Sequence, residues 1–165
     1  MLEHGGHEPL YWSIAQLRAA FAAGAMSCQD LAKRSIARLR RFDPDLHAFI
    51  CTLEEAAERQ ARATDQAYRK GEAGPLAGIP ISIKDTFDVA GVVSTRGSLV
   101  CRANVAARDS GAVRRLRSAG AVLIGKTNTA EFGQSATTDN KLGDECRNPW
   151  AVSYTHLTLP TNREV

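Results

Sequence analysis

Apolar residues recur at helical spacing near the start of the chain. Ile14, Leu17 and Phe21 follow an i, i+3, i+7 pattern, which is typical of the buried face of an amphipathic helix. Ser13 precedes the pattern and has the side chain of a good N-cap residue. The sequence therefore predicts a first helix over about 14–24.

Two further helices are predicted before residue 72. Ser27 can cap the second helix, with Asp30 three residues later completing an imperfect capping box. We expect this helix to end before Pro44, because proline lacks the N–H that a helix interior needs. A stretch rich in Ala, Glu and Arg over about 53–70 predicts the third helix, which Gly71 closes.

The pattern changes from helical to alternating after residue 76. Ile79, Ile81 and Ile83 alternate with polar residues, which predicts a short strand with one buried face. A helix is predicted over about 110–119, and the apolar run 121–125 is typical of a strand buried on both faces. Strand, crossover helix and buried strand in this order predict an α/β fold around a central sheet.

Polar residues that could take part in catalysis follow both predicted strands. Lys84 and Asp85 end the first strand, and Lys126 follows the second, at the strand ends where α/β proteins place their sites. A lysine removed from water has a neutral fraction that can act as a base, which makes Lys84 the first candidate and Lys126 the second. An ionised Asp85 beside Lys84 would oppose that role. Hydroxyl groups that could serve as nucleophiles are those of Ser82, Ser94, Thr95 and Ser98.

Composition narrows the function classes. The 165 residues carry a net charge of +3, which is too small to indicate nucleic acid or an anionic membrane as partner. The longest apolar run, residues 19–26, is far below the roughly 20 residues of a membrane-spanning helix. His4 and His7 lie in a Gly-rich leader and favour a frayed terminus over a metal site. Four well-separated cysteines predict reduced thiols in a cytoplasmic protein, namely Cys28, Cys51, Cys101 and Cys146.

Three ordered motifs carry a family resemblance. Residues 74–85, GPLAGIPISIKD, resemble the first signature block of the amidase signature family. Residues 119–133, AGAVLIGKTNTAEFG, resemble the second block, and residues 147–150, RNPW, resemble the segment that leads into the family's Gly/Ser-rich core. The resemblance runs from about residue 10 to residue 150, and it is specific only after residue 74.

The resemblance implies a fold and a mechanism. The expected fold is the N-terminal portion of an α/β/α architecture with a mixed central sheet, preceded by helices. The expected activity is hydrolysis of carboxamide C–N bonds by a Ser–cis-Ser–Lys triad, in which Lys84 is the base and no metal or other cofactor takes part. Phe132, Gly133 and Gln134 resemble a family loop that approaches the substrate. The implied ligand is a small-molecule amide, and a homodimer or amidotransferase partner subunits stay open.

The chain departs from the family after Trp150. The expected Gly/Ser-rich segment with both triad serines does not follow, and residues 153–161 resemble the translation of a sequencing-library adapter. We therefore predict a flexible leader over 1–10, a truncated amidase domain over 11–150 and a non-native tail over 151–165. The 165-residue chain is expected to be inactive and prone to aggregation, because sheet edges stay unpaired.

Other functions stay open from the sequence. An alternative within the same family is a fragment of the glutaminase-type A subunit of a transfer-RNA-dependent amidotransferase. It could instead be a small α/β protein that binds a ligand without catalysis. Nucleic-acid binding through an arginine cluster in the second predicted helix is disfavoured, because no aromatic residues alternate with Arg34, Arg38, Arg40 and Arg41.

Overall fold

Four helices and three strands make up the computed structural model, which describes residues 8–150. The helices are α1 (Ile14–Ala22), α2 (Cys28–Leu46), α3 (Glu54–Lys70) and α4 (Gly111–Ser118). The strands are β1 (Phe49–Thr52), β2 (Pro80–Lys84) and β3 (Val122–Thr127). Single 3-10 turns occupy Pro9–Tyr11, Leu99–Cys101 and Glu131–Gly133.

The three strands form one mixed sheet in the order β1-β3-β2. Strand β3 pairs with β1 in antiparallel and with β2 in parallel orientation. Helix α4 lies in the connection between the parallel neighbours β2 and β3, as the sequence predicts. The α/β class and the mixed sheet preceded by helices are therefore confirmed.

Strand β3 is buried on both faces, which the continuous apolar run predicted. Val122 belongs to a core cluster with residues of α1, α2 and α3, including Phe21 and Leu31. The next residue, Leu123, belongs to a second cluster with Ile83 of β2, Val89 in the segment after β2, and Val113 of α4. Consecutive strand residues face opposite sides, so the sheet separates the two clusters.

Side-chain caps fix the first two helices at the predicted residues. The Ser13 hydroxyl accepts a hydrogen bond from the Gln16 N–H at 3.2 Å, and the Ser27 hydroxyl accepts one from the Asp30 N–H at 3.0 Å. Both helices carry complete capping boxes. The Ser27 hydroxyl, as the largest cause, holds the pKa of Asp30 below its ordinary value.

The end of α2 and the following strand differ from the prediction. Pro44 lies inside the last turn of α2, which continues to Leu46. His47 then leaves the helix in the left-handed region, and the Asp43 carboxylate accepts the N–H groups of Ala48 and Phe49. The prediction that the helix ends before Pro44 is wrong, because proline removes one hydrogen bond but the turn keeps others. Strand β1 was not predicted.

Both predicted terminal segments fall largely outside the described residues. Of the leader over 1–10, the structure describes Glu8–Leu10; Pro9 and Leu10 belong to a 3-10 turn, and Leu10 packs against the first core cluster. The tail over 151–165 lies outside the described residues altogether. Within residues 8–150, no helix combines the length and apolarity that crossing a bilayer requires.

Candidate functional site

The two motif blocks lie side by side. The Leu76 N–H donates to the Ala119 carbonyl at 2.9 Å, and the Gly78 N–H donates to the Gly120 carbonyl at 3.1 Å. Gly120 adopts a φ of +89°, and a Cβ there would lie 2.8 Å from the Cα of Ala77. Glycine at this position therefore allows the backbones to approach, which brings β2 and β3 together.

Lys84 is the last residue of β2, and its side chain is exposed. Its neighbour Ile83 is buried in the second core cluster, and alternation along the strand directs Lys84 to the opposite side. The described residues 8–150 therefore do not bury Lys84, and the expected desolvation is not present in this part of the chain. Gly133 is close to the Lys84 amine, because a Cβ built on this glycine would lie 3.9 Å from the Lys84 Nζ.

Lys126, the weaker candidate, is the lysine that the fold buries. Its exposed fraction is 0%, and its Nζ lies 2.5 Å from the Oδ1 of Asp85, which is also 0% exposed. The same Nζ donates to the Ser94 Oγ at 2.5 Å and to the Val93 carbonyl at 3.1 Å. Asp85 therefore pairs with Lys126. The sequence had left open a pairing of Asp85 with Lys84, which is not found in the described residues.

A bulge in β3 brings the two charges to one face. Ile81 lies opposite Leu123 and Ile83 lies opposite Lys126, so β3 holds one residue more than β2 between these pairs. Residues opposite each other share a face, and the extra residue turns Lys126 to the side of Ile83. Gln60 of α3 accepts the Leu123 N–H at 2.9 Å. Simple alternation would put Lys126 on the Val122 face.

The second oxygen of Asp85 holds the turn formed by residues 94–97. It accepts the Thr95 and Arg96 N–H groups, each at 2.9 Å, and also the Thr95 hydroxyl. Arg96 and Gly97 both adopt positive φ values, +55° and +69°. Because the carboxylate accepts two successive N–H groups, it stabilises a backbone conformation that costs free energy for arginine.

This turn contacts the loop that follows β3. The Arg96 carbonyl accepts the Phe132 N–H at 2.6 Å, and the buried Ser98 hydroxyl donates to the Glu131 carboxylate at 2.6 Å. Phe132 and Gly133 have φ values of +51° and +71°. These bonds hold the Glu131–Gly133 turn near Lys84.

The structure brings some predicted site residues together and separates others. Gly133 lies beside Lys84, whereas Phe132 and Gln134 are exposed on the same loop. The four hydroxyl candidates have other roles or surroundings. Ser94 contacts Lys126, Thr95 contacts Asp85, Ser98 contacts Glu131, and Ser82 is exposed on β2.

Asn128 ties the segment after the loop to the end of β3. Its amide nitrogen donates to the carbonyls of His47 and Asp144, at 3.2 and 3.1 Å. Its oxygen accepts the Thr129 N–H and the Asn140 amide, at 2.9 and 2.8 Å. Through these four hydrogen bonds, Asn128 fixes the path of the segment that leads to residues 147–150.

Burial makes three of the four cysteines poor nucleophiles. Burial, as the largest cause, raises the pKa of the Cys28, Cys51 and Cys146 thiols, and Asp65 raises that of Cys28 further. A thiol must ionise to attack or to bind a metal. Within residues 8–150, no three side chains of the His, Cys, Asp and Glu types cluster as metal ligands would.

Comparison with known proteins decides the family. The sequence model described as Amidase matches residues 30–156. This chain belongs to the amidase family. The resemblance seen in the motif blocks is thereby confirmed.

Relatives within the family include amidotransferase components. The A subunit of glutamyl-tRNA(Gln) amidotransferase of Zea mays, chloroplastic/mitochondrial, is 39% identical over 145 residues, which cover 86% of this chain and 27% of that protein. Its counterpart in Methylococcus capsulatus is 40% identical over 138 residues, 84% of this chain and 28% of the relative. The chain thus spans somewhat more than a quarter of the length of these relatives.

Solved amidase structures share the fold. A peptide amidase in complex with the competitive inhibitor chymostatin superposes with a TM-score of 0.78 at 32% sequence identity. The match covers 86% of this chain and 31% of that structure. The mixed sheet with its preceding helices therefore corresponds to part of an amidase fold.

Proposed function

We propose that this chain is the N-terminal part of an enzyme that cleaves carboxamide C–N bonds, with Lys84 as the base of a Ser–cis-Ser–Lys triad. The observation that carries the proposal is the position of Lys84 at the carboxyl end of β2, beside the Glu131–Gly133 turn. Asp85 supports it, because its carboxylate is directed to Lys126 and leaves the Lys84 amine without that partner.

The proposed reaction begins with a proton transfer. This step requires the unprotonated form of Lys84, whose amine accepts a proton from the bridging serine, which in turn accepts the proton of the nucleophilic serine. The nucleophilic oxygen bonds to the amide carbon, and the C–N bond breaks as the leaving nitrogen takes up the proton that Lys84 returns through the bridging serine. Water then attacks the resulting ester, releases the carboxylic acid and restores the serine. Both serines belong to the part of the protein that follows this chain.

The loop after β3 is proposed to line the substrate entrance. Phe132 is 49% exposed and stands next to Gly133, which lies beside Lys84. An exposed aromatic ring at this place suits contact with the apolar part of a small amide. Gln134 follows on the same loop and offers both a donor and an acceptor to a polar amide.

The chain by itself is proposed to be inactive. Residues 11–150 are assigned to the amidase domain and 151–165 to a tail that is not native. Without the bridging and nucleophilic serines, Lys84 has no proton to accept. We expect the 165-residue chain to release no ammonia from amides and to aggregate instead of unfolding cooperatively. Amide hydrolysis by this chain that is lost in Lys84→Ala would contradict this.

The test of the function uses the whole protein. The native gene is first sequenced past codon 150 so that the whole protein can be produced. We expect that part of the gene to encode a Gly/Ser-rich segment with both serines. Ammonia release is then measured with hexanamide, benzamide and L-glutamine for wild type, Lys84→Ala and, as control, the exposed lysine variant Lys70→Ala. We expect Lys84→Ala to lose at least about 1,000-fold in kcat and Lys70→Ala to keep wild-type kcat. Equal activity of all three proteins would refute the proposal.

A second candidate is the A subunit of an amidotransferase. It is favoured by the two amidotransferase relatives, at 39% and 40% identity. In that case glutamine is the ammonia donor and partner subunits complete the assembly. Glutamine hydrolysis that appears only when partner subunits are added, with no turnover of hexanamide or benzamide, would select this candidate.

A further inference from the structure

We propose that the buried Lys126–Asp85 ion pair is a positioning device for Lys84 and for the loop beside it, an inference that rests on the proposed function. Both side chains are 0% exposed and lie 2.5 Å apart. Asp85 follows Lys84 directly in the chain, so fixing the carboxylate fixes the end of β2 that carries the base.

Three oxygen atoms surround the Lys126 amine. Asp85, the Ser94 hydroxyl and the Val93 carbonyl lie within 3.1 Å of its Nζ. The amine donates hydrogen bonds to the Ser94 hydroxyl and the Val93 carbonyl and forms an ion pair with the Oδ1 of Asp85. Lys126 therefore fixes the strand end carrying Asp85 and the start of the 94–97 turn at the same time.

The contacts continue from the ion pair to the substrate loop. Asp85 accepts the Thr95 and Arg96 N–H groups, and the Arg96 carbonyl accepts the Phe132 N–H. Gly97 contacts the loop as well, because a Cβ there would lie 2.7 Å from the carbonyl oxygens of Thr129 and Ala130. The path ends at Gly133, beside the Lys84 amine. One carboxylate thus connects the base to the loop facing it.

A second buried carboxylate, Asp65, serves as a control that distinguishes an effect on positioning from an effect on stability alone. Asp65 is 9% exposed and accepts two successive N–H groups, those of Cys28 and Gln29, at 2.6 and 3.3 Å. It fixes the start of α2 in the way that Asp85 fixes the 94–97 turn. Asp65 lies on α3, and its hydrogen bonds go to α2 instead of to the strand ends that carry Lys84.

The experiment compares Asp85→Asn with Asp65→Asn in the whole protein. We expect Asp85→Asn to lower kcat by about 10–100-fold with little change in KM, since a shift of about 1 Å in a catalytic group has effects of this size. We expect Asp65→Asn to keep wild-type kcat and to lower thermal stability only. Lys84→Ala is measured alongside, so that failure of the proposed function shows as full activity of that variant.

A readout that needs no substrate accompanies the kinetics. Hydrogen exchange is followed in peptides covering 94–98 and 129–134. We expect faster exchange there in Asp85→Asn and unchanged exchange there in Asp65→Asn. The inference is overturned if both variants have wild-type kcat, or if the two variants change kcat and loop exchange alike.

A milder variant covers the case in which Asp85→Asn does not fold. Thr95→Val removes the hydroxyl that donates to Asp85 and accepts the Gly97 N–H, and it keeps the Lys126–Asp85 pair and the shape of the side chain. We expect Thr95→Val to speed exchange in 129–134 and to lower kcat by about threefold to tenfold, with KM little changed. Wild-type exchange and kcat in a folded Thr95→Val protein would contradict the proposal.

Discussion

The helical layer and the strand-end region are stabilised in different ways. Helices α1, α2 and α3 pack through apolar side chains such as Phe21, Leu31 and Ala61, and local caps fix where the first two begin. The strand-end region, residues 84–98 and 126–133, depends on a buried ion pair and on hydrogen bonds between distant segments. Apolar packing tolerates substitution more readily than a buried charge does, so we expect the two regions to respond differently to the same change.

The largest expected difference comes from placing methionine in each region. Lys126→Met leaves the buried Asp85 without its cationic partner, so we expect the free energy of unfolding of the whole protein to fall by about 3–5 kcal/mol. Leu31→Met exchanges one buried apolar side chain for another of similar volume, and we expect a loss below about 1.5 kcal/mol. Urea denaturation measures both. Equal losses would remove the distinction between the regions.

A pair of glycine variants tests the contact between the two loops. Gly97 has a φ of +69°, and a Cβ there would lie 2.7 Å from two carbonyl oxygens. Gly91 has a φ of +75° with nothing within 4 Å of the added Cβ. We expect Gly97→Ala to be less stable than Gly91→Ala by about 1–3 kcal/mol, the cost of overpacking. Similar urea midpoints for the two variants would show that the loops separate freely.

The smallest expected effect concerns the cap of α2. We expect Ser27→Ala to cost about 1 kcal/mol, because the Asp30 N–H loses its acceptor. A lowered pKa means that Asp30 stabilises the fold above the pKa it has when unfolded and loses this contribution as the pH falls through its folded value. Stability of Ser27→Ala should therefore fall less than that of wild type between about pH 5 and pH 2. Parallel pH profiles would contradict this origin of the shift.

The sequence predicted the helical layer better than the strand-end region for a physical reason. Periodicity and caps are local, so α1, α3 and the starts of both capped helices follow from neighbouring residues. The exception is Pro44, where the remaining bonds of the last turn outweigh the missing N–H. Strand β1 is short and half-buried, so its four residues carry no clear alternation.

The sequence predicted where in the fold the candidate site residues lie, but only part of how their side chains are arranged. Lys84 and Lys126 stand at strand ends as expected, but their surroundings are reversed: Lys84 is exposed and Lys126 is buried. The bulge in β3 causes this for Lys126, and alternation in the sequence does not reveal a bulge. Two opposite charges ending two apolar strands, Asp85 and Lys126, were the signal that could have indicated the pair.

The role of Lys84 is tested most directly by chemical rescue in the whole protein. Hydrolysis of the best amide substrate is measured for Lys84→Ala at increasing concentrations of methylamine, at several pH values. We expect a rate that is very low without amine and rises in proportion to the unprotonated amine, which replaces the missing base. Wild-type kcat in Lys84→Ala without added amine would show that Lys84 is not the base.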